Sequence, residues 1–587
     1  MTSATKIRDV LPAVAVMLVL SLLAASGAGI HGWTLAGAAV LLAWTAAMTG
    51  LSPGHADNTP IPTWQRIEWV YLAVLLFLSL MLIPLPLGAT TLTGFRRFAE
   101  NKVAATRLRQ AAALDIIDLP ALLFSTTRNR AGTLRVLAIC IGGFSCALLS
   151  RRMPPPVRHF LLRALVLGGA VVAWLGTVSL LFFPQGDTLW WTISIPHTLP
   201  GPAACFINQN HFGAFTAMLC PCAIVLAADD MRKRRWLAAI LMTLCTVLLA
   251  VSVPVSEARG ALLAGASALI VLPVFSLARG HRRQAFWTLL PILVLLVTVG
   301  LLIAPHKKDS MGELLRPTES ASLQRRVQVW HECLVNWTHR PVVGNGPNSF
   351  HTSYPMWRHS STSGHRTHAE NMYVEVLFDS GVAGTAIALW AIAVLAARMK
   401  RTRASGACEP SVYYAVAGAL VVAGVNALVE FAIYVPLYAF TLATLIGLVL
   451  PSPEESRRPI AELTGAILSL VVAFTAPVLY SRDSIRAIPG ANVDDLARSI
   501  VWAPTSQHAW YYAGRQMMRS KDKPVRRMGE RFMTQSMEYD PKNYRHWRKL
   551  GELRWKLKDR DGAREAYERA HELREWVKTP PYMREDA

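Results

Sequence analysis

Most of this chain alternates between long unbroken apolar stretches and short polar joints in which Lys and Arg collect. A helix needs roughly 20 apolar residues to cross a hydrocarbon core of about 30 Å. Runs at 10–29, 32–51, 67–87, 132–150, 159–183, 208–228, 235–255, 259–278, 286–305, 371–397, 411–431, 433–450 and 460–480 therefore predict about 13 transmembrane helices. The first run lacks a small-residue cleavage site followed by a soluble domain and is read as a retained helix. Pro84 and Pro86 close the third, because proline removes a helix donor. Two long polar segments interrupt the pattern, Thr90–Arg130 and His306–Glu370, and beyond residue 480 it gives way to an amphipathic helical tail. The expected architecture is all-α: a polytopic membrane domain over 1–480 with a large loop at 306–370, then a small soluble helical domain over 481–587.

Composition agrees with that class. With 52% hydrophobic and 17% charged residues in 587, the chain is too apolar for a soluble multidomain protein. The net charge of +22 sits in clusters between apolar runs, a pattern that suits topology signals and anionic lipid or phosphate ligands better than nucleic acid. Arg151-Arg152, Arg232 to Arg235, Arg279 with Arg282 and Arg283, and Arg398 to Arg403 all follow even-numbered runs, which makes those joints cytoplasmic. By parity the 306–370 loop and the tail are extracytoplasmic, and so is the basic 90–130 segment, the one exception to the rule. The eight cysteines lie mostly within apolar runs without zinc-like or disulfide-like spacing and read as packing residues.

Candidate chemistry concentrates in the long loop. Arg325 and Arg326 lie within it, Arg259 opens the run at 259–278, and Arg128 and Arg130 precede the run at 132–150. A guanidinium neutralises phosphate through two parallel hydrogen bonds, so converging arginines suit a diphosphate; singly, each also suits a lipid headgroup. His368 and Glu370 precede the run at 371–397, and either is placed to take a proton from a hydroxyl. The alternative is a helix-start cluster, with Glu370 at the positive helix end and Asn371 as the cap. The loop histidines show no metal-ligand spacing, and no metal or other cofactor is expected. In the tail, Trp547, Leu550, Gly551, Ala563, Tyr567 and Ala570 fit the large–small interlock of a tetratricopeptide helix pair, with a looser copy at Trp510, Gly514, Ser536 and Pro541; a generic helical hairpin is the other reading. Either is expected to dock a partner or to pack.

An ordered set of segments resembles the O-antigen ligase and polymerase superfamily of bacterial envelope glycosyltransferases. They are Leu82-Ile83-Pro84-Leu85-Pro86, Asn208-Gln209-Asn210-His211-Phe212, Ser256-Glu257-Ala258-Arg259-Gly260, Arg326 with Trp330, Pro341-Val342-Val343-Gly344-Asn345-Gly346, and His368-Ala369-Glu370-Asn371 followed by Gly381 and Gly384. The resemblance implies a helical glycosyltransferase fold that moves a glycan from an undecaprenyl-diphosphate carrier to a lipid, sugar or protein hydroxyl, with inversion and without a metal, at the outer face of the bacterial inner membrane. It implies that Arg259 and Arg326, with Arg325 beside it, hold the diphosphate, that the loop histidine activates the acceptor, and that Asn208 and His211 border the same cavity. Many relatives carry histidine immediately before the asparagine that here is Asn371. This chain has Glu370 there, which leaves His368 and Glu370 as alternative bases. A transporter or flippase of a polyprenyl-linked glycan, binding diphosphate without making a bond, is the alternative from another class.

Overall fold

A computed structural model describes residues 3–25, 66–83, 85–86, 99–118, 123–182, 188–189, 193–194, 203–277, 321–359, 366–450, 492–575 and 577. The predicted runs at 32–51, 286–305 and 460–480 lie outside the described residues. The described chain is all-α. Its helices are α1 (Ser3–Ala25), α2 (Arg66–Leu82), α3 (Ala99–Ala112), α4 (Arg130–Arg152), α5 (Pro155–Phe182), α6 (Gln209–Arg232), α7 (Trp236–Val255), α8 (Arg259–Leu277), α9 (Ala321–Trp337), α10 (Phe350–Ser353), α11 (Met372–Ala404), α12 (Pro410–Asn426), α13 (Pro436–Val449), α14 (Val493–Trp502), α15 (Gln507–Met517), α16 (Lys523–Tyr539), α17 (Tyr544–Lys556) and α18 (Arg560–Leu573). Among the described residues, extended pairing is confined to two ribbons of two-residue strands, one of which sets Leu85 opposite Phe124, and an isolated bridge between Ala203 and Phe206.

Five helices, α4, α5, α6, α7 and α11, are long and apolar enough to cross a membrane, and α12 and α13 are shorter apolar helices. The bundle closes around α6, which is buried along almost its whole length and packs against α5, α7, α8 and α12. Small residues allow that closeness: a Cβ on Gly447 of α13 would stand 2.3 Å from the Ala147 carbonyl oxygen of α4. Asn129, Asn208 and Asn371 cap α4, α6 and α11 with their side chains, so several helices begin at one end of the bundle. The apolar run at 411–431 does not stay helical throughout. α12 stops at Asn426, and 427–435 turns back across the bundle end, where the Ala427 carbonyl accepts the Met372 N–H at 2.8 Å.

The polar loop folds around a small apolar core of its own, formed by Val329, Cys333, Phe350, Tyr354, Ala369 and Phe378. Its Pro341–Gly346 motif is a clamp. Gly344 and Gly346 have positive φ, and a Cβ on Gly346 would stand 1.8 Å from Thr127 Oγ1. Between them, Asn345 accepts from Arg128 Nη1 at 2.9 Å and donates through Nδ2 to the Phe378 carbonyl at 3.0 Å. The motif thus fastens the start of α4 to the kink of α11 at Gly381.

Residues 492–575 form helix hairpins, with Gly514 against Gly529 where α15 meets α16 and Gly551 against the Tyr567 ring where α17 meets α18. They share a core with the basic 90–130 segment: Ala104, Leu108 and Ala111 of α3 are buried with Leu496, Trp510 and Phe532.

Candidate functional site

The site forms where the 366–370 segment, helix α9, the starts of α6 and α8, and the 427–435 turn meet. His368 lies against Glu375, one turn into α11, with Nδ1 2.7 Å from Oε1. Oε2 of the same carboxylate accepts the Ala369 N–H at 2.9 Å, so Glu375, fully buried, fixes both the segment and the ring. The imidazole also stacks on Phe431, centroids 3.8 Å apart, and on Tyr434 at 5.0 Å. Hydrogen bonding at one nitrogen and aromatic faces on the ring together define its orientation, the arrangement by which a carboxylate selects a histidine tautomer.

Arg326, on the face of α9 turned to the bundle, donates from Nη1 to the Val429 carbonyl at 2.8 Å and places Nε 2.7 Å from Glu370 Oε2. Arg366 approaches the other Glu370 oxygen at 3.7 Å. Glu370 is thus held by two guanidinium groups and has φ 54, a region costly for a residue with a side chain. Trp330, one turn after Arg326, donates its indole N–H to the Ala369 carbonyl at 2.9 Å. Arg325 is exposed beside Arg326. Arg259 is the first residue of α8, and its neighbour Gly260 faces Val429, where a Cβ would stand 2.4 Å from Cγ2. Val429 thus touches both Arg326 and the residue that follows Arg259.

On the far side of that turn, Glu430 accepts from Asn210 Nδ2 at 2.7 Å and lies 3.6 Å from His211 Nε2. His211 in turn meets the edge of Phe431 at 4.7 Å. Two His–Glu pairs, His368 with Glu375 and His211 with Glu430, thus flank a single phenylalanine ring.

The structure brings Arg326, His368, Glu370 and His211 around the 429–434 turn, with Arg259 next to it. Asn208 and Asn371 act there as helix caps: Asn208 accepts from the Asn210 N–H at 2.9 Å and Asn371 from those of Tyr373 and Val374 at 3.1 Å each. The arginines before α4 do not converge with the others; Arg128 is bound to Asn345, and Arg130 lies over the Trp502 ring at 5.5 Å. Sequence reasoning missed Glu375, Glu430 and Phe431. An acidic residue within or beside a predicted span is rare in lipid and marks a functional position, so the two glutamates carried a usable signal; the phenylalanine carried none.

Fold and site together define a polytopic helical membrane protein with an arginine- and histidine-bearing centre at one end of its bundle. Residues 244–389 match the family model described as O-Antigen ligase, which includes Arg259, Arg326, His368 and Glu375. Over those residues the chain is similar to the O-antigen ligase family, which suggests an O-antigen ligase or polymerase type of activity. None of the curated proteins compared with the chain matches it.

Proposed function

We propose that this protein transfers a glycan from an undecaprenyl-diphosphate carrier to an acceptor hydroxyl, with inversion and without a metal, on the extracytoplasmic side of the membrane. The observation that carries the reading is the His368–Glu375 hydrogen bond of 2.7 Å on the same short segment whose Glu370 engages Arg326. Glu375 holds Nδ1, so the proton is taken at Nε2 as the acceptor oxygen attacks the anomeric carbon. The new C–O bond forms on the face opposite the breaking bond to the diphosphate, which leaves with the electron pair. Arg326 and Arg259 stabilise the charge growing on it, and the nearby starts of α6, α8 and α11 add positive potential. Glu370 serves as the anion that occupies Arg326 until diphosphate replaces it, rather than as the base. The basic clusters at Arg151, Arg232 and Arg403 lie at the other end of the bundle, which supports the sidedness.

The test is transfer by purified protein from a diphosphate-linked lipid glycan to candidate acceptors. His368→Ala is expected to lose at least about a hundredfold in rate, the size of base catalysis. Glu375→Gln is expected to keep the fold and to lower the rate, because the amide no longer fixes the tautomer and orientation that the carboxyl gives His368. Wild-type protein that binds donor, transfers nothing and carries it across a vesicle bilayer would establish the transporter alternative instead.

A further inference from the structure

The tail meets the 354–359 segment through a buried ion pair and through Met356, which packs against the tail's core. Arg358 donates from Nε and Nη2 to Asp540 Oδ1, at 3.0 and 2.7 Å, with side chains 7% and 4% exposed. Asp540 Oδ2 accepts from Asn543 Nδ2 at 3.1 Å, which fixes the carboxylate within the tail at the end of α16. On the other side, the N–H of the next residue, His359, donates to Glu332 Oε1 at 3.1 Å, and the hydroxyl of Tyr354 donates to Oε2 at 2.6 Å. Glu332 is a buried residue of α9, the helix that carries Arg326 and, through Trp330, holds the Ala369 carbonyl. A path of hydrogen bonds joined by the Arg358–His359 peptide link and helix α9 therefore runs from Asp540 through Arg358, His359, Glu332 and α9 to both Arg326 and the segment bearing His368.

Further contacts keep the tail in place. The shared core with α3, the Asp118 N–H bonded to Asp494 Oδ1 at 2.9 Å, and the Arg130–Trp502 contact all cross the same boundary. These contacts secure the tail but do not touch α9. The Arg358–Asp540 pair reaches α9 through its neighbours, since the adjacent His359 N–H and Tyr354 hydroxyl bond Glu332, and its two directional hydrogen bonds define where the 354–359 segment lies in a way that apolar contact alone would not.

We propose that Asp540 and Arg358 are positioning residues for glycosyl transfer: the tail braces α9 through this pair and so sets the placement of Arg326 and the 366–370 segment. The proposal rests on the transferase reading above, and its test separates the two. Full-length protein in lipid nanodiscs is compared as wild type, Asp540→Ala, and the charge swap Arg358→Asp with Asp540→Arg. Hydrogen exchange is followed at 323–337 and 366–370, and kcat and KM are measured for transfer. In Asp540→Ala, exchange rises at both segments while α6, α17 and α18 keep their protection, and kcat falls by about tenfold to a hundredfold, the size expected when a reacting group is displaced. The swap restores protection and rate in part. Should the alanine variant unfold the tail, Asp540→Asn, which keeps an acceptor oxygen, is read in its place. Unchanged exchange at 323–337 and 366–370 overturns the proposal, as does a swap that leaves both rate and protection unrestored. If wild type transfers nothing to any acceptor, the transferase reading fails, and the exchange arm alone still decides whether the tail braces α9.

Discussion

The two polar ends of the bundle are both rich in arginine and carboxylate, yet they use these groups differently. At the end formed by the last turns of α4, α6, α11 and α13 and the first turns of α5 and α12, several cations meet fixed structural partners. Arg158 is buried, and its guanidinium donates to the carbonyls of Met153, Arg151, Leu448 and Leu450, the acceptors that α4 and α13 leave open at their C-termini. Arg163 pairs with Asp230 at 2.6 Å, and Lys233 bridges Asp229 and Glu409 at 2.6 and 2.7 Å. At the site end, Arg326 meets one main-chain carbonyl and one carboxylate, Glu370, which stands on a strained segment outside any helix. A carbonyl at a helix terminus cannot leave; a side chain on such a segment can be exchanged for another anion. The chemistry of the partner, more than the arginine itself, separates a girder from a binding group.

Replacing one arginine from each end gives the largest contrast. Arg326→Ala is expected to reduce transfer by about a hundredfold to a thousandfold, the usual size for removing a group that stabilises transition-state charge, with the melting temperature nearly unchanged. Arg158→Ala is expected to leave the rate per folded molecule intact and to cost about 3 kcal/mol of stability, because it strands buried carbonyls that accept from a charged donor. Rate assays and thermal unfolding on the same two preparations check both. A variant pair in which both lost rate and stability alike would erase the distinction between the ends.

A smaller effect sharpens the comparison at Arg326 itself. If Glu370 only occupies that guanidinium, Glu370→Gln frees it, and binding of an undecaprenyl-diphosphate analogue tightens by about twofold to fivefold, in keeping with a partly exposed ion pair. Transfer persists. If Glu370 were the base, the same change would lower transfer by at least about a hundredfold and leave donor binding the same or weaker. Measuring donor affinity and rate together distinguishes the roles in one variant.

Much of the membrane fold was readable because hydrocarbon demands long apolar helices. Several described helices begin and end close to the predicted runs, while 67–87 ends at Leu82, 371–397 runs on to Ala404, and 411–431 ends early where Asn426 and Glu430 introduce polar groups the turn can satisfy. Arg326 and His368 were found as polar residues flanking apolar helices. Their partners were harder to see. Glu375 and Glu430 sit within or beside apolar runs, and Phe431 looks like any other lipid-facing residue until His211, from α6, and His368, from the segment before α11, approach it. The Pro341–Gly346 motif was noticed, but its function as a clamp depends on backbone approaches to residues more than thirty positions away. The basic 90–130 segment, whose charge broke the topology rule, finds its reason in α3, which completes the core of the tail.

The Arg358–Asp540 pair stands between the two kinds of end: its carboxylate is fixed, as Asp230 is at the structural end, but it lies next to the segment that bonds α9. Burial pushes the Asp540 carboxyl above its ordinary value, and Arg358 and Asn543 only partly hold it back. The sign follows from which state binds the proton. Between the ordinary value of 3.8 and the raised one, the folded protein holds a proton on Asp540 that the unfolded chain has released. The ionised carboxyl therefore carries a penalty that is absent below 3.8, builds as pH rises through that window, and is complete above it. Asp540→Asn has nothing to titrate, so the melting temperature of wild type relative to this variant should fall with rising pH across the window and stay level above it. A difference that instead rose with pH would mean that Arg358 stabilises the carboxylate more than burial opposes it, and would place this pair with the girders of the opposite end.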